Sequence, residues 1–338
     1  MGPHPAVAQV RSAVREALAG VPGPVLVACS GGGDSLALAA ATAFEAPRAD
    51  VKAGLVTVDH GLQAGSAERA RRVAAIGYEL GFDPVEVIPV SVGISGGPEA
   101  AARDARYAAL AALATAFDAS VLLGHTLDDQ AETVLLGLGR GSGPRSIAGM
   151  SPVDGRYLRP LLALPRGVTA AACAALGLEP WDDPHNADPA YQRSRLRAEV
   201  LPLLEDVLQG GVAEALARTA DLVQADLAAL DALAAACLPT VVRGFAPRPG
   251  SAGDPGPGLD AAALAGQPRA IRTRVLRTWA AAGGAGALTA THVTALDALV
   301  ADWHGQGPID LPGGLRARRE SGRLELTPPA ADPPEPTP

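Results

Sequence analysis

Four apolar segments of strand length lie in the first half of the chain, and each is followed by glycine or polar residues. These segments are residues 25–29, 51–58, 85–92 and 120–124. Alanine- and leucine-rich stretches with apolar residues at helical spacing alternate with them, including residues 5–18 and 98–117. Alternating strands and helices predict an α/β fold built on a doubly wound parallel sheet. In such a sheet ligands bind beyond the carboxyl ends of the strands, so the polar residues there should gather on one rim.

The pattern changes after residue 161 and predicts three further parts of the chain. Residues 212–238 have the spacing of one long helix or a helical pair, and residues 246–258 contain four prolines and four glycines, which is typical of a linker. We therefore expect an α/β domain over residues 1–211 and a helical connector with its linker over 212–258. A small, mainly helical domain over 259–327 should end in a β-hairpin. The proline-rich residues 328–338 are expected to form a disordered tail.

Composition is that of a globular protein. Of the 338 residues 48% are hydrophobic, and the three cysteines, Cys29, Cys173 and Cys237, are widely spaced, which favours a reducing compartment. The chain shows no secretory signal and no run approaching about 18 apolar residues. We therefore expect a cytoplasmic protein that does not contact membranes. The sequence leaves open whether it acts as a monomer or as a homodimer.

The distribution of charge matters more than its sum. A net charge of −8 would disfavour a polyanionic partner, because nucleic-acid affinity rests largely on neutralising phosphates. From Arg140 to Arg166, however, there are five arginines and one acid, and Lys52 is the only lysine in the chain. Arginine suits bidentate contacts with phosphate. This segment is therefore a candidate nucleic-acid surface, and so are Arg193, Arg195 and Arg197.

The first strand leads into a loop whose residues suit the binding of phosphate. Its sequence is Ser30-Gly31-Gly32-Gly33-Asp34-Ser35, and an alanine- and leucine-rich helix follows directly. Glycine lets backbone N–H groups approach phosphate oxygens, and the helix N-terminus adds unpaired donors and a positive dipole end. Neither the Lys-[Ser/Thr] pair of P-loop NTPases nor the Gly-x-Gly-x-x-Gly of dinucleotide folds is present. An ordinary glycine-rich turn would not need both hydroxyls and the carboxylate.

Three further stretches carry side chains suited to chemistry. Asp59 and His60 follow the second strand, and the helix after the third contains Arg103-Asp104-Ala105-Arg106-Tyr107. The fourth strand leads into His125-Thr126-Leu127-Asp128-Asp129-Gln130-Ala131-Glu132-Thr133. Asp129 and Glu132 are three residues apart and therefore share a helix face. Acids in a first helical turn often only cap the helix, which would explain one of these carboxylates but not three.

These stretches together resemble one family. The phosphate loop resembles the PP-loop of ATP pyrophosphatases, which cleave ATP between its α and β phosphates. Asp128-Asp129-Gln130-x-Glu132-Thr133 followed by Arg140-Gly141-x-Gly143 resembles the tRNA(Ile)-lysidine synthetases. So do the segments around Asp183–Arg197 and Leu311–Gly314. The sequence departs from that family's pattern at Thr126, where a second histidine is common, and at Ser194, where asparagine is frequent.

The resemblance implies a reaction and roles for the residues. Such enzymes adenylate the wobble cytidine in the CAU anticodon of tRNA(Ile) with ATP and Mg²⁺, and then replace AMP with the ε-amine of L-lysine. The implied ATP ligands are Ser30, Gly31, Gly32, Gly33, Asp34, Ser35, Asp59 and His60, with Asp34 on the metal. The implied catalytic residues are Asp34, Arg103, Asp128 and Asp129, with Arg103 favoured over Arg106 for the α-phosphate and Asp128 nearer the metal or the base. Asp129 and Glu132 would bind lysine, and Arg140, Arg145, Arg193 and Arg197 would bind tRNA.

Several alternatives remain open at this stage. His60 and His125 contact ATP or the cytosine, or they are structural residues. Arginines of the last domain are further candidates for the acceptor side of the tRNA: Arg272, Arg274, Arg277, Arg316, Arg318 and Arg319. The chain could instead be another PP-loop ligase, such as a tRNA thiolase or an amidotransferase-linked synthetase, or a noncatalytic nucleotide- or RNA-binding module. The intact loop and acidic motif argue against loss of activity, and Cys29 is poorly placed for thiolation.

Overall fold

The computed structural model describes residues 2–61, 65–91, 93, 98–141, 143–182, 188, 190–243 and 258–327. It divides into two compact units, Met1–Val223 and Gln224–Pro338. Most of the glycine-rich turn at 93–97, the turn at 183–189, the linker at 246–258 and the whole tail at 328–338 lie outside the described residues. Those predictions, and the domain boundaries that depend on them, stay predictions.

A mostly parallel sheet of six strands forms the centre of the first unit. Its order is β3-β2-β1-β4-β6-β5, and only the β5–β6 pairing is antiparallel. The strand order therefore reverses direction between β1 and β4, which is where open α/β sheets bind ligands. The strands are β1 Val25–Ala28, β2 Ala53–Asp59, β3 Val85–Pro89, β4 Ser120–Leu123, β5 Val153–Asp154 and β6 Tyr157–Leu158.

Helices cover both faces of this sheet. On one face α1, α2 and α7 pack against each other and against Val25, Val27 and Leu122 of the central strands. On the other face Leu110 and Ala114 of α4 pack against Leu26, Val56 and Val121. The helices are α1 Pro5–Leu18, α2 Gly33–Glu45, α3 Ser66–Glu79, α4 Pro98–Ala116, α5 Leu127–Arg140, α6 Pro144–Ile147, α7 Arg166–Ala175, α8 Gln192–Arg195, α9 Leu201–Val207 and α10 Val212–Val241, with a π-helical turn at Leu196–Val200.

The predicted α/β architecture is confirmed, and the differences are local. The second strand begins at Ala53 rather than residue 51, after the exposed Lys52, whose carbonyl accepts the N–H of Val25 at 2.9 Å. The third strand ends at Pro89 rather than residue 92. The sequence pattern missed the β5–β6 hairpin, because its strands are only two residues long, and also missed α6 and α7.

Helix α10 joins the two units along the chain. It is long and apolar enough to cross a membrane by length and composition, with a mean hydropathy of 1.5 in its most apolar window. Charged residues such as Arg218, Asp226 and Asp231 interrupt its apolar segments, so the expectation that no continuous run approaches 18 apolar residues is not contradicted, and the expectation that the protein does not contact membranes stays a prediction. One such helix is by itself weak evidence for a membrane span, and 6% of its apolar window is buried within the protein. Ala234, Cys237 and Val241 of α10 are buried in the core of the second unit.

The second unit packs helices against an antiparallel sheet. Its order, β7-β8-β11-β10-β9, includes the predicted terminal hairpin and extends it to five strands. Leu276, Leu296 and Leu324 are fully buried between helices and sheet. The elements are β7 Val242–Arg243, β8 Gly258–Asp260, α11 Ala261–Ala265, α12 Arg269–Ala282, α13 Ala290–Ala301, β9 Ile309–Leu311, β10 Leu315–Glu320 and β11 Arg323–Thr327.

Candidate active site

The loop between β1 and α2 forms a cradle of backbone donors. Gly31 has a φ of +87°, and a Cβ there would lie 2.9 Å from Val73 Cγ2. Ser35 Oγ donates to the Gly32 carbonyl at 2.9 Å and lies 3.2 Å from Ser30 N, which donates to it. The N-cap of α2 is Gly32, which brings no side chain to the first turn, so the helix N-terminus is open to an anion. Of the predicted ATP ligands, Ser35 is largely buried and shapes the loop from inside.

A single guanidinium connects this loop to the acidic helix start. Arg166 Nε donates to Asp34 Oδ2 at 3.2 Å, and Arg166 Nη2 donates to Asp129 Oδ1 at 2.8 Å. Thr169 Oγ1 donates to the other oxygen of Asp34. Asp34 and Asp129 are 95 positions apart in the sequence, yet one side chain spans both. The structure thus brings the predicted phosphate loop and the predicted lysine-binding acids onto one rim.

The two aspartates at the start of α5 also hold helix ends. Asp129 Oδ2 accepts the N–H of Thr126 at 2.8 Å and its hydroxyl at 2.9 Å, which closes a capping box. Asp128 Oδ2 accepts the N–H of Arg166 at 2.7 Å and so caps α7. Helix capping, the alternative to a role in chemistry, therefore accounts for one oxygen of Asp128 and one oxygen of Asp129. The predicted place of Asp128 near the metal or the base stays a prediction, since its hydrogen bond within the described residues is this cap.

Glu132 lies deeper than the aspartates. Its side chain is fully buried, Oε1 accepts Arg197 Nε at 2.8 Å, and Oε2 has no hydrogen-bond partner among the described residues. Arg197 also lies 3.5 Å from Asp129. The sequence assigned Arg197 to tRNA, whereas the structure places its guanidinium in this carboxylate cluster. An unpartnered buried carboxylate oxygen is costly unless a ligand satisfies it.

The three acids titrate differently because their surroundings differ. Burial raises the pKa of Asp34, against the opposing donors Thr169 and Arg166. Burial also raises the pKa of Glu132, and Arg197 opposes that rise. For Asp129 burial acts in the same direction, but Arg166 and the donors of Thr126 outweigh it and hold its pKa below the usual range. Glu132 is therefore better suited to accept a proton than Asp129, which stays ionised.

A basic group that includes Arg103 and Arg106 lies near His125, as does Asp129. Arg103 Nη2 donates to Tyr107 Oη at 3.2 Å, and burial together with Arg103 and Arg193 lowers the pKa of Arg106. Burial lowers the pKa of His125 to about 3, with Asp129 opposing and Arg106 assisting the shift. His125 thus lies within electrostatic reach of both groups. Positive charges that raise one another's energy in this way favour an anionic ligand.

The two histidines remain neutral and have unused nitrogens. Nδ1 of His60 and Nδ1 of His125 are buried and have no hydrogen-bond partner among the described residues. Burial, Arg106 and Arg69 lower the pKa of His60. Asp59, predicted to bind ATP, accepts the N–H of Gly61 at 3.0 Å and shapes its own loop. These atoms fit a polar ligand better than a purely structural role, because buried polar groups in proteins are normally satisfied.

Most of the remaining candidate arginines have partners within the protein. Arg156 pairs with Asp118, and Arg159 is buried against the carbonyl of Ser151. In the second unit all six candidates make local contacts, to Asp297 (Arg272), Asp231 (Arg274), the Leu288 carbonyl (Arg277), Asp310 (Arg316), Glu325 (Arg318) and the Leu299 carbonyl (Arg319). Arg140 and Arg145 lie on the surface at the end of α5 and in α6, and Arg193 is half-buried beside Arg106.

Arg166 and Thr169 are the site residues that the sequence argument missed. In the sequence Arg166 stands out only as part of a basic segment. A cation in the first turn of a helix opposes the helix dipole, so an arginine there needs a strong anionic partner. That mismatch is a signal, but it becomes visible only once α7 is known to begin at Arg166.

The mostly parallel sheet, with a glycine loop and an acidic helix at its switch point, fits the PP-loop ATP pyrophosphatase class, and a family match shows that the chain belongs to it. A family model described as a PP-loop domain matches residues 8–204, and one described as the TilS substrate binding domain matches residues 259–325. The structure of the U34-tRNA thiolase NcsA from Methanococcus maripaludis superposes with a TM-score of 0.55 at 16% identity, over 65% of this chain and 80% of that one. At that identity the likeness shows the fold alone.

Sequence relatives identify the family within this class. A tRNA(Ile)-lysidine synthase from Thermobifida fusca (strain YX) is 60% identical over 96% of this chain and 98% of its own length. Relatives with the same name from Salinispora tropica and Streptomyces coelicolor are 56% and 54% identical, over 97% and 96% of this chain and 98% and 99% of their own lengths. The chain belongs to the tRNA(Ile)-lysidine synthase family, and it is an enzyme.

Proposed function

We propose that the protein joins L-lysine to the wobble cytidine of tRNA(Ile) with a CAU anticodon, consuming ATP and releasing AMP and pyrophosphate in the cytoplasm. The observation that supports this most directly is the short bridge between the phosphate loop and the buried acids. Arg166 lies 3.2 Å from Asp34 and 2.8 Å from Asp129. An amine held by the acids would therefore lie close to a nucleotide whose phosphates rest on the loop.

The first step needs a cradle for the leaving pyrophosphate. The cytosine carbonyl oxygen bonds to the α-phosphorus of ATP while the bond between that phosphorus and the bridging oxygen breaks. Backbone N–H groups of Gly31–Gly33 and the open N-terminus of α2 stabilise the negative charge on the departing group. Arg103, with Arg106 and Arg193 near it, supplies countercharge to the α-phosphate.

Mg²⁺ is compatible with this donor set. Magnesium binds through one or two carboxylates together with substrate phosphates, and Asp34 is a carboxylate at the first turn of the loop helix. Among the described residues no group of three acidic, histidine or cysteine side chains could hold a metal alone, so phosphate oxygens would complete the coordination. Bound there, Mg²⁺ would neutralise charge on the pyrophosphate.

The second step needs an unprotonated amine. Asp129, which stays ionised, holds the lysine cation, and Glu132 accepts a proton because its pKa is raised and its Oε2 has no partner in the described part of the chain. The amine then bonds to the cytosine carbon that carries the adenylated oxygen, and AMP leaves. His60 and His125, both neutral, offer nitrogens to the cytosine edge.

Incorporation of radiolabelled lysine into transcripts tests the proposal. The tRNA(Ile) transcript with a CAU anticodon should gain label in the presence of ATP and Mg²⁺, and methionine tRNA with the same anticodon should not. Release of AMP and pyrophosphate without incorporation would retain the PP-loop chemistry and contradict the choice of lysine.

A further inference from the structure

A cation of the protein itself occupies the centre of the candidate site. The Arg166 guanidinium contacts Asp34 at 3.2 Å and Asp129 at 2.8 Å, and its Nη1 lies 3.8 Å from Glu132. Asp34 belongs to the phosphate loop, and the other two acids are the proposed lysine ligands. One guanidinium is thus shared by the binding sites of two different substrates.

The main chain of Arg166 is fixed, whereas its side chain is not enclosed. Its N–H donates to Asp128 at 2.7 Å, and α7 packs against α1 and α2. The side chain is 27% exposed, and among the described residues its polar contacts are the ion pairs with Asp34, Asp129 and Glu132. A long side chain on a rigid helix can therefore change partners without movement of the backbone.

Lysine and ATP would each replace one side of these ion pairs: lysine would take the place of Arg166 at the carboxylates, and ATP phosphates would take the place of the carboxylates at Arg166. A lysine ammonium cannot pair with Asp129 and Glu132 while a guanidinium holds the same oxygens. Triphosphate oxygens, in contrast, are strong bidentate partners for guanidinium. A nucleotide on the loop offers Arg166 a new partner within reach of the old one, because Asp34 is itself part of that loop.

We propose that Arg166 is a positioning residue that exchanges its carboxylate partners for the phosphates of ATP, which frees Asp129 and Glu132 for lysine. This rests on the proposed function and adds a rule to it: ATP binding strengthens lysine binding. By linkage, lysine must strengthen ATP binding by the same factor. The device also disfavours capture of free lysine by an enzyme that holds no nucleotide.

Arg197 provides the matched comparison. It contacts Glu132 at 2.8 Å and Asp129 at 3.5 Å, but it forms no ion pair with Asp34 among the described residues. Arg197 therefore competes with lysine for these two carboxylates, but a nucleotide on the phosphate loop would not change its partners. Arg166→Gln and Arg197→Gln each remove one cation from the acids, and only Arg166→Gln should remove the coupling.

Calorimetric titration of the full-length protein with lysine tests this, with and without saturating α,β-methylene ATP and Mg²⁺. In the wild type we expect lysine to bind roughly tenfold more tightly with the nucleotide, within the usual range of coupling. Arg166→Gln should bind lysine equally with and without nucleotide, and without nucleotide at least as tightly as the wild type. Arg197→Gln should keep the nucleotide dependence, and Arg166→Lys, which keeps the charge but not the fork, should keep only part of it.

The results of this titration would distinguish failure of the Arg166 exchange from failure of the proposed function. Equal lysine affinity with and without nucleotide in the wild type, or full dependence in Arg166→Gln or Arg166→Lys, would overturn the exchange while leaving the function intact. Loss of the dependence in both glutamine variants would also overturn it. If the wild type bound neither ligand, the proposed function would fail and the inference with it. A purely structural role of Arg166 would lower the melting temperature without changing the ratio of the two affinities.

Discussion

The two oxygens of Asp129 have different partners, and this division orients the carboxylate before any substrate arrives. Oδ2 is held by Thr126, which is itself fully buried, and Oδ1 faces Arg166. A ligand can therefore take over Oδ1 while Oδ2 keeps the side chain in place. Groups fixed in advance do not have to be reorganised when the ligand binds, which is the main electrostatic advantage of an enzyme site.

Removal of charge from either proposed lysine ligand should weaken lysine binding selectively. A charged hydrogen bond is worth about 1.5–3 kcal/mol, so Asp129→Asn or Glu132→Gln should raise the lysine KM by roughly ten- to a hundredfold. The KM for ATP should change far less. Steady-state kinetics with each substrate varied separately measures both values.

The control is Glu199→Gln, which removes an exposed acid paired with Arg195. It should leave both constants unchanged, because exposed ion pairs of this kind contribute little. A normal lysine KM in the Asp129 and Glu132 variants would contradict their assignment.

His125 should make the protein less stable in mild acid. Its folded pKa, about 3, lies below the ordinary value of 6.5, so the unfolded chain binds the extra proton throughout that interval. Stability from this group is complete above about pH 6.5 and is lost as the pH falls towards 3. Urea unfolding at pH 7 and pH 5 should show that His125→Asn loses less stability on acidification than the wild type, by on the order of 1–2 kcal/mol.

The comparison of the two proteins is needed because Asp34 and Glu132 act in the opposite direction. Their raised pKa values make the folded state bind more protons than the unfolded state in acid, which stabilises it as the pH falls. An identical pH dependence in the wild type and in His125→Asn would show that this histidine is not held neutral.

At the level of secondary-structure elements, the position of α5 is set by the close approach of its backbone to that of α6. A Cβ at Gly137 would lie 1.9 Å from the carbonyl oxygen of Ser146, whereas a Cβ at Gly139, two residues along the same helix, would meet nothing within 4 Å. Only glycine allows α5 and α6 to lie this close. Because α5 carries Asp129 and Glu132, this contact also sets where the acids stand.

Alanine at these two positions should have opposite effects. Gly137→Ala must push α6 away and should lower the free energy of unfolding by about 1–3 kcal/mol. Gly139→Ala should raise it by up to about 1 kcal/mol, because alanine is the better helix former. Chemical denaturation measures both, and equal effects of the two substitutions would contradict the close approach.

The sequence pattern predicted the secondary-structure elements well but the ion-pair partners of the site residues poorly, for a physical reason. Strand and helix periodicity is local, and the rule that strand ends meet on one rim brought the phosphate loop together with Asp129 and Glu132. The ion pairs of Arg166 and Arg197 join residues 34 to 132 positions apart, and no local pattern encodes them. The same limitation made Arg159 resemble a surface residue, although its side chain is buried against Ser151.

For the molecule as a whole, an acidic chain must bind a polyanion through a restricted surface. The net charge is −8, and several arginines of the second unit, among them Arg272, Arg274 and Arg318, are paired with acids of the same unit. The affinity for tRNA should therefore depend on few cations, of which Arg140, Arg145 and Arg193 are the proposed ones. Such an enzyme has little general attraction for nucleic acid.

Arg145→Ala should weaken tRNA binding and make it less sensitive to salt. Removal of one cation from a phosphate makes the slope of log affinity against log salt shallower by roughly 0.7–0.9. Filter binding across a series of salt concentrations gives the slope for the variant and for Arg71→Ala, which removes an exposed arginine paired with Glu68 on α3. A weaker Arg145→Ala complex with an unchanged slope would exclude a phosphate contact.

The single lysine makes this enzyme easy to modify at one defined point. Lys52 is exposed and precedes β2 at its amino end, whereas the substrates are proposed to bind beyond the carboxyl ends of the same sheet. All three thiols are buried. Apart from the α-amino group, an amine-reactive dye or biotin will therefore react with one side chain. When the protein is attached to a solid surface through Lys52, the carboxyl ends of the strands, where the substrates are proposed to bind, will therefore face the solution.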